Sequence, residues 1–188
     1  LTYLTSAEFQ LFLDDLRAAG QSYQPDHWAG TSFPAGGAQA PAVRRSGPRP
    51  VVIASANGNR FKNGGSDTCV ARAFALIDRG GDVLDALVEG VGLVELDPLD
   101  ESVGFGGLPN ADGVVQLDAS CMHGPTLRAG AVACLEGVRT PSRVARAVLQ
   151  HTDHHLLVGK DAQAFARQLG FSIEADLNTE ASRRKWLE

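Results

Sequence analysis

From residue 29 to residue 50 the chain carries Gly30, Pro34, Gly36, Gly37, Pro41, Gly47, Pro48 and Pro50 without apolar periodicity, a composition that neither a packed helix nor a strand tolerates. The fold must therefore be built on either side of this stretch, and the domain boundary belongs there. Residues 1–48 read as an extension, an amphipathic helix over 1–19 followed by the linker, and residues 49–188 as the main domain. In the extension, Thr5 or Ser6 can cap the helix, Phe9, Leu11, Phe12, Leu13 and Leu16 fall mainly on its apolar side, and Gly20 stops it. Arg44 and Arg45 read as a solvated or processed linker rather than a binding site.

With 188 residues and 44% hydrophobic content, the chain is long enough for one core. A formal charge of -5 gives no general field toward nucleic acid or an anionic membrane, and no apolar run approaches the roughly 20 residues that span a bilayer. The reading is a soluble chain with neither partner. Cys69, Cys121 and Cys134 are too few and too scattered for a disulfide framework, and the odd count leaves at least one free. The sequence opens at Leu1 rather than Met, which leaves room for a removed segment. The expected compartment is accordingly the periplasm or the cell exterior, with the cytoplasm as the alternative.

Val51, Val52, Ile53 and Ala54 make a short apolar run ending at Asn57 and Gly58, as expected of a buried strand that delivers a polar loop. Helices follow from about Thr68 to Arg79 and from the N-cap Asp82 to Asp97 and Pro98, the second carrying Leu84, Leu87, Val88, Val91 and Val94. Asp112-Gly113 signals a hairpin, and Val115, Leu117 and Ala119 alternate with polar residues as in a strand. A small-residue strand over 129–135, a helix from Pro141 capped by Thr140 to about His151, a strand over 156–158 and a helix over 161–169 come next. A last helix starts at Thr179. This order gives an α+β layer architecture.

Few residues announce chemistry by themselves. The GFGG run at Gly104 precedes a hairpin signal rather than a helix, so it is not a phosphate loop, and its glycines read as sites of close backbone approach. His151, Asp153, His154 and His155 fall in a turn with no further motif to complete a metal site, so no metal is expected. Ser102 has a hydroxyl but no base at a fixed offset and no nucleophile elbow around it. Asn57 and Asn59 can orient a polar substrate through their amides, or can equally serve as turn residues beside glycine.

Taken as an ordered series, VVIAS, FKN, GGDVLDALVEGVGLVELDP, DESVGFGGLPNADGVVQLDASCMHG, AGAVACLEG, PSRVARAVLQHTDHHLLVG, FARQLGF and TEASRRKWLE, from Val51 to Glu188, resemble the glycosylasparaginase branch of the plant-type asparaginase and isoaspartyl peptidase family. Residues 1 to about 48 lie outside this likeness. The resemblance implies an N-terminal nucleophile hydrolase, a four-layer αββα sandwich whose precursor cleaves itself before a threonine. This chain resembles the α subunit, ending before the cleavage site. The nucleophile and the groups that hold the substrate's α-carboxylate and α-amine are then expected on a β subunit from the same precursor, in an (αβ)2 assembly without cofactor. A terminal threonine uses its own α-amine as base, which accounts for the lack of a visible triad.

Carried over residue by residue, the likeness makes Ser102 a supporting catalytic residue whose hydroxyl bonds the threonine, while Asn57 and Asn59 stand as substrate-binding candidates on their amides alone. Asn59 stands where the family usually carries a tryptophan that narrows the pocket, and an insertion around residues 64–67 alters the same neighbourhood. The implied reaction is hydrolysis of the β-amide of N4-(GlcNAc)-asparagine, a small β-aspartyl amide, to aspartate and a glycosylamine. Alternatives are isoaspartyl peptidase or L-asparaginase activity, or a non-catalytic binding homologue. A third reading makes residues 1–48 an interaction arm that covers a partner protomer.

Overall fold

The computed structural model describes residues 50–188. The helix expected over 1–19 and most of the linker lie outside the described residues, as does the extension as a whole.

Helix α1, Cys69–Asp78, starts where the Thr68 hydroxyl accepts from the Ala71 amide at 3.2 Å, and helix α2, Val83–Glu95, where Asp82 accepts from the Asp85 amide at 3.0 Å. Strands β1, Leu117–His123, and β2, Arg128–Leu135, pair antiparallel around the turn Gly124–Thr126. Helix α3, Pro141–His151, leads to strand β3, Leu157–Val158, which pairs parallel with β2 and completes a sheet of order β1-β2-β3. Helix α4, Gly159–Gln168, follows directly, and helix α5, Glu180–Leu187, opens with a capping box between Thr179 and Ser182.

The core lies on one face of the sheet. Val132 and Leu135 of β2 pack with Val144, Ala145 and Val148 of α3 and with Ala162 and Ala166 of α4, while Leu84 and Val88 of α2 meet Leu149 of α3 and Cys121 of β1. Strand and helix come close because β2 has Gly130 at the crossing, where a Cβ would sit 2.3 Å from the Ala145 carbonyl oxygen. The opposite face presents Asp118, Ser120 and Met122, all exposed, and among the described residues no helix covers it. A bulge between Leu117 and Ala119 is stitched by the Asp118 carboxylate, which accepts from the Cys134 amide at 2.8 Å with Cys134 at φ 50°.

Two expectations fail. The run over 51–54 joins no ladder, and Val51 and Ile53 are 75% and 79% exposed rather than buried. A strand exists only where a neighbour supplies its hydrogen bonds and an apolar layer takes its side chains, and none of the described strands does so for this run. The hairpin at Asp112-Gly113 is likewise only half formed. The turn closes with the Asn110 amide donating to Val114 O at 2.9 Å, but before it the chain forms bends and a turn over 101–106 and irregular backbone over 107–110, and the regular strand begins only at Leu117. The backbone there bends because it bonds to the end of α2 and to Leu177 instead of to a strand. His151 ends α3, and Asp153, His154 and His155 are exposed in the turn that follows. Among the described residues no helix is long and apolar enough to cross a membrane.

Candidate active site

The 3-10 turn Ala56–Asn59 aims Asn57 at the loop that leaves α2. The side-chain oxygen of Asn57 accepts from its neighbour's amide, Gly58, at 3.1 Å and from the Ser55 hydroxyl, so its nitrogen is the end that points away. That nitrogen donates to the Ser102 oxygen at 3.1 Å and, at 3.4 Å, to Asp100. Residues 45 positions apart in sequence thus meet in one cluster.

Two aspartates shape the loop. Asp97, 4% exposed, accepts from the Leu99 amide at 3.0 Å through one oxygen and from the Lys62 and Asn63 amides at 3.1 and 2.7 Å through the other. It clips the segment around residue 62 to the end of α2. Asp100, 3% exposed, accepts from the Ser102 amide at 2.8 Å, the Val103 amide at 3.0 Å and the Ser102 hydroxyl at 2.6 Å. An aspartate two residues before a serine folds the chain back as an Asx turn, because its carboxylate competes with backbone carbonyls for nearby N–H groups.

The glycine-rich continuation is fixed from beneath. Gly104 has φ +61°, and a Cβ on it would lie 2.0 Å from the Glu95 carbonyl oxygen, while the Phe105 amide donates to that same oxygen at 2.7 Å. The Gly106 amide donates to Leu177 O at 2.9 Å. The Glu95 side chain, 2% exposed, turns the other way and accepts from the Ser142 amide at 2.9 Å and hydroxyl at 2.8 Å. It caps α3, whose expected cap, Thr140, makes no side-chain cap bond. Burial pushes the Glu95 carboxyl up to about 7 against the opposing pull of those two bonds.

Phe105 is held by Arg139, whose guanidinium carbon lies 3.7 Å from the ring centroid. The same guanidinium forms a fork with Glu174 at 2.6 and 2.8 Å, which keeps the Glu174 carboxyl below its ordinary range, chiefly through the hydrogen bond from Arg139. Lysine supplies neither the plane nor the fork. Arg139→Lys is expected to cost about 1 kcal/mol, read as a lower denaturation midpoint near neutral pH. The Glu174 contribution is present above the ordinary carboxylate range and is lost as pH falls through its depressed value, so the variant's deficit should shrink in acid.

Of the residues singled out from sequence, Asn57 and Ser102 come together and Asn59 does not. Asn59 is exposed, and its side chain makes no hydrogen bond among the described residues. Sequence reasoning misses Asp97, Asp100, Glu95 and Ser142. The Asp-x-Ser spacing at Asp100 is a readable signal for the Asx turn, and Glu95 falls eleven residues after Leu84 and seven after Val88, on the buried stripe of α2. Among the described residues no imidazole, lysine amine or thiol bonds to Ser102, and no group of three His, Cys, Asp or Glu side chains is placed to hold a metal. A groove of about 470 Å³ lies elsewhere, between Gly113, Glu136, Gly137, Gln163, Glu174 and Asp176. Its acids are already engaged, Glu136 with Gln116, Glu174 with Arg139 and Asp176 with Arg183, so the Ser102 cluster is the better candidate site.

Comparison with known proteins matches the sequence to one family. The family profile described as Asparaginase matches residues 53–188. Over 140 residues, 74% of this chain and 38% of the relative, the sequence is 41% identical to the N(4)-(Beta-N-acetylglucosaminyl)-L-asparaginase of Elizabethkingia miricola. It is 41% identical to the Mus musculus protein of the same name over 143 residues, 76% of this chain and 39% of the relative. It is 47% identical to the plant-type L-asparaginase of Pyrococcus furiosus over 108 residues, 57% of this chain and 35% of the relative. The chain spans about two-fifths of the length of these relatives or less. From Ile53 to Glu188, through the whole of the Ser102 cluster, the chain therefore belongs to the glycosylasparaginase and plant-type asparaginase family.

Proposed function

We propose that this chain is the α-subunit part of a self-cleaving amidohydrolase that splits the β-amide of N4-(GlcNAc)-asparagine into aspartate and a glycosylamine. The observation that carries this reading is the 41% identity, across three-quarters of the chain, to relatives named for that substrate. Two features of the fold support a missing companion. One face of the sheet is uncovered among the described residues, and the apolar run over 51–54 has no ladder to join, both of which a second layer and a further strand from a β subunit would satisfy. With its nucleophile there, the four-layer sandwich would be completed by the partner.

In this mechanism the threonine hydroxyl of the β subunit adds to the amide carbonyl while its α-amine takes the hydroxyl proton. The C–N bond then breaks, the amine returns the proton to the departing glycosylamine, and water cleaves the resulting ester to release aspartate. Ser102 contributes one hydrogen bond beside the nucleophile, and Asn57 holds Ser102. Asn57 thus acts on the site through Ser102, while Asn59, exposed on the same turn, is left to meet the leaving group.

The second reading, L-asparaginase activity, is favoured by the 47% identity to the Pyrococcus furiosus protein and by the small polar Asn59. Mass spectrometry of the full-length product decides whether cleavage before a threonine occurs, and a panel of GlcNAc-asparagine, β-aspartyl dipeptides and asparagine decides the leaving group. A protein that is never cleaved and turns over none of them is a binding homologue, and the reading fails. Ser102→Ala is expected to leave the fold intact and to lower turnover about tenfold to hundredfold, the worth of one charge-assisted hydrogen bond. Unchanged turnover removes Ser102 from the site.

A further inference from the structure

We propose that Asp100 is a positioning residue for this reaction, which fixes the direction of the Ser102 hydroxyl so that its oxygen meets the nucleophile only as an acceptor. The inference rests on the functional reading above and deepens it.

A serine hydroxyl has one proton and two lone pairs, and it ordinarily rotates to donate or accept as its neighbours require. Here both choices are made by the protein. The proton is taken by Asp100 at 2.6 Å, at the short end expected for a hydroxyl on a carboxylate. One lone pair receives the Asn57 amide nitrogen at 3.1 Å, and the orientation of that amide is set in turn by the Gly58 amide on its oxygen. Asp100 cannot swing away, because the same oxygen also holds the Ser102 and Val103 amides at 2.8 and 3.0 Å and the group is buried. What remains on Ser102 is a single lone pair at an exposed position.

That polarity matters when the neighbour is an amine that must act as a base. A base works through its lone pair. A freely rotating hydroxyl would donate to that lone pair and quench it, whereas an acceptor-only hydroxyl takes one of the amine's own hydrogens and leaves the lone pair for the nucleophile's proton. An acceptor backed by a carboxylate also favours the protonated amine over the free one, raising the pH at which the base becomes available. Asp100 would thus do for Ser102 what a buried carboxylate does for the imidazole it orients in a hydrolytic triad, acting through its partner and never touching the substrate.

The test uses the full-length precursor and its matured form. Asp100→Ala, Ser102→Ala and the double variant are compared for kcat, KM and the acidic limb of the pH profile of kcat. Asp100→Ala should lower kcat about tenfold or more with KM changed less than about twofold, and should move the acidic limb to lower pH by up to about one unit. In the Ser102→Ala background the same change should cost little more, because the group it acts through is gone. Asp100→Asn keeps an oxygen for the three donors, so it should recover most of kcat while the limb stays displaced for want of the charge. Should Asp100→Ala fail to mature, Asp100→Asn carries the test through that displacement. A kcat loss that persists in full in the Ser102→Ala background, or an acidic limb unmoved in Asp100→Asn, overturns the role while the enzyme reading stands. A wild-type protein that neither cleaves itself nor hydrolyses any β-aspartyl amide overturns both.

Discussion

Gly104→Ala is expected to prevent the chain from folding, because the loop bearing Ser102 has no room for a single methyl at this position. The residue sits at φ +61°, where any side chain costs about 1 kcal/mol. The added carbon would lie 2.0, 2.4 and 2.5 Å from the carbonyl oxygen, Cα and carbonyl carbon of Glu95, all backbone atoms in the last turn of a packed helix. Backbone cannot rotate aside as a side chain can. Either α2 shifts, breaking the Phe105 to Glu95 bond and the Glu95 cap of α3, or the loop lifts and carries Ser102 off Asn57. The cost should exceed about 4 kcal/mol, in the range where single substitutions unfold marginal proteins. The measurements are yield of soluble full-length protein and denaturant unfolding, with Gly124→Ala as the control. Among the described residues no atom beyond its chain neighbours lies within 4 Å of a Cβ at Gly124, so that variant should stay within about 0.5 kcal/mol of wild type. A folded Gly104→Ala protein of wild-type stability would mean that the loop is not seated on α2.

The second large effect is a pH dependence with an unusual sign. Most carboxylates that matter to a fold are held below their ordinary values and add stability as pH rises, as Asp82 and Asp176 do here through the Asp85 and Asn178 amides. Glu95 does the reverse. Its value of about 7 in the fold lies above the ordinary 4.5, so the unfolded chain holds the proton less tightly than the native one. Its contribution is complete below about 4.5 and is lost as pH climbs through about 7, a swing of about 3 kcal/mol at the full difference. Glu95→Gln removes the charge and keeps an oxygen for the Ser142 amide, and the Ser142 hydroxyl can rotate to accept from the new amide. The variant should therefore match wild type near pH 5 and exceed it by up to about 3 kcal/mol near pH 8. Unfolding midpoints from about pH 4.5 to about pH 8.5 give the difference directly, and parallel curves for the two proteins would refute the assignment.

These two residues also show how far sequence reading reaches. Glu95 lies on the buried stripe of α2, so its burial is implicit in the 3.6-residue period, but its partner is 47 positions away. No local rule connects a helix C-terminus to the first turn of another helix. The expected cap of α3, Thr140, follows the local rule and is displaced because a buried carboxylate already occupies the amide it would have served. The caps that close within three residues, Thr68, Asp82 and Thr179, form as their sequences imply.

The sequence by itself determined the helices between residues 69 and 187, the two longer strands and the family, because periodicity, caps and ordered motifs are properties of neighbouring residues or of their order. Only the tertiary structure decided that Asn57 holds Ser102, that Asn59 stands apart, and that the run over 51–54 has no ladder to join among the described residues. Hydrogen bonds between distant segments and the pairing of a strand depend on which surfaces meet, and that is set by the packing of the whole chain rather than by any stretch of it.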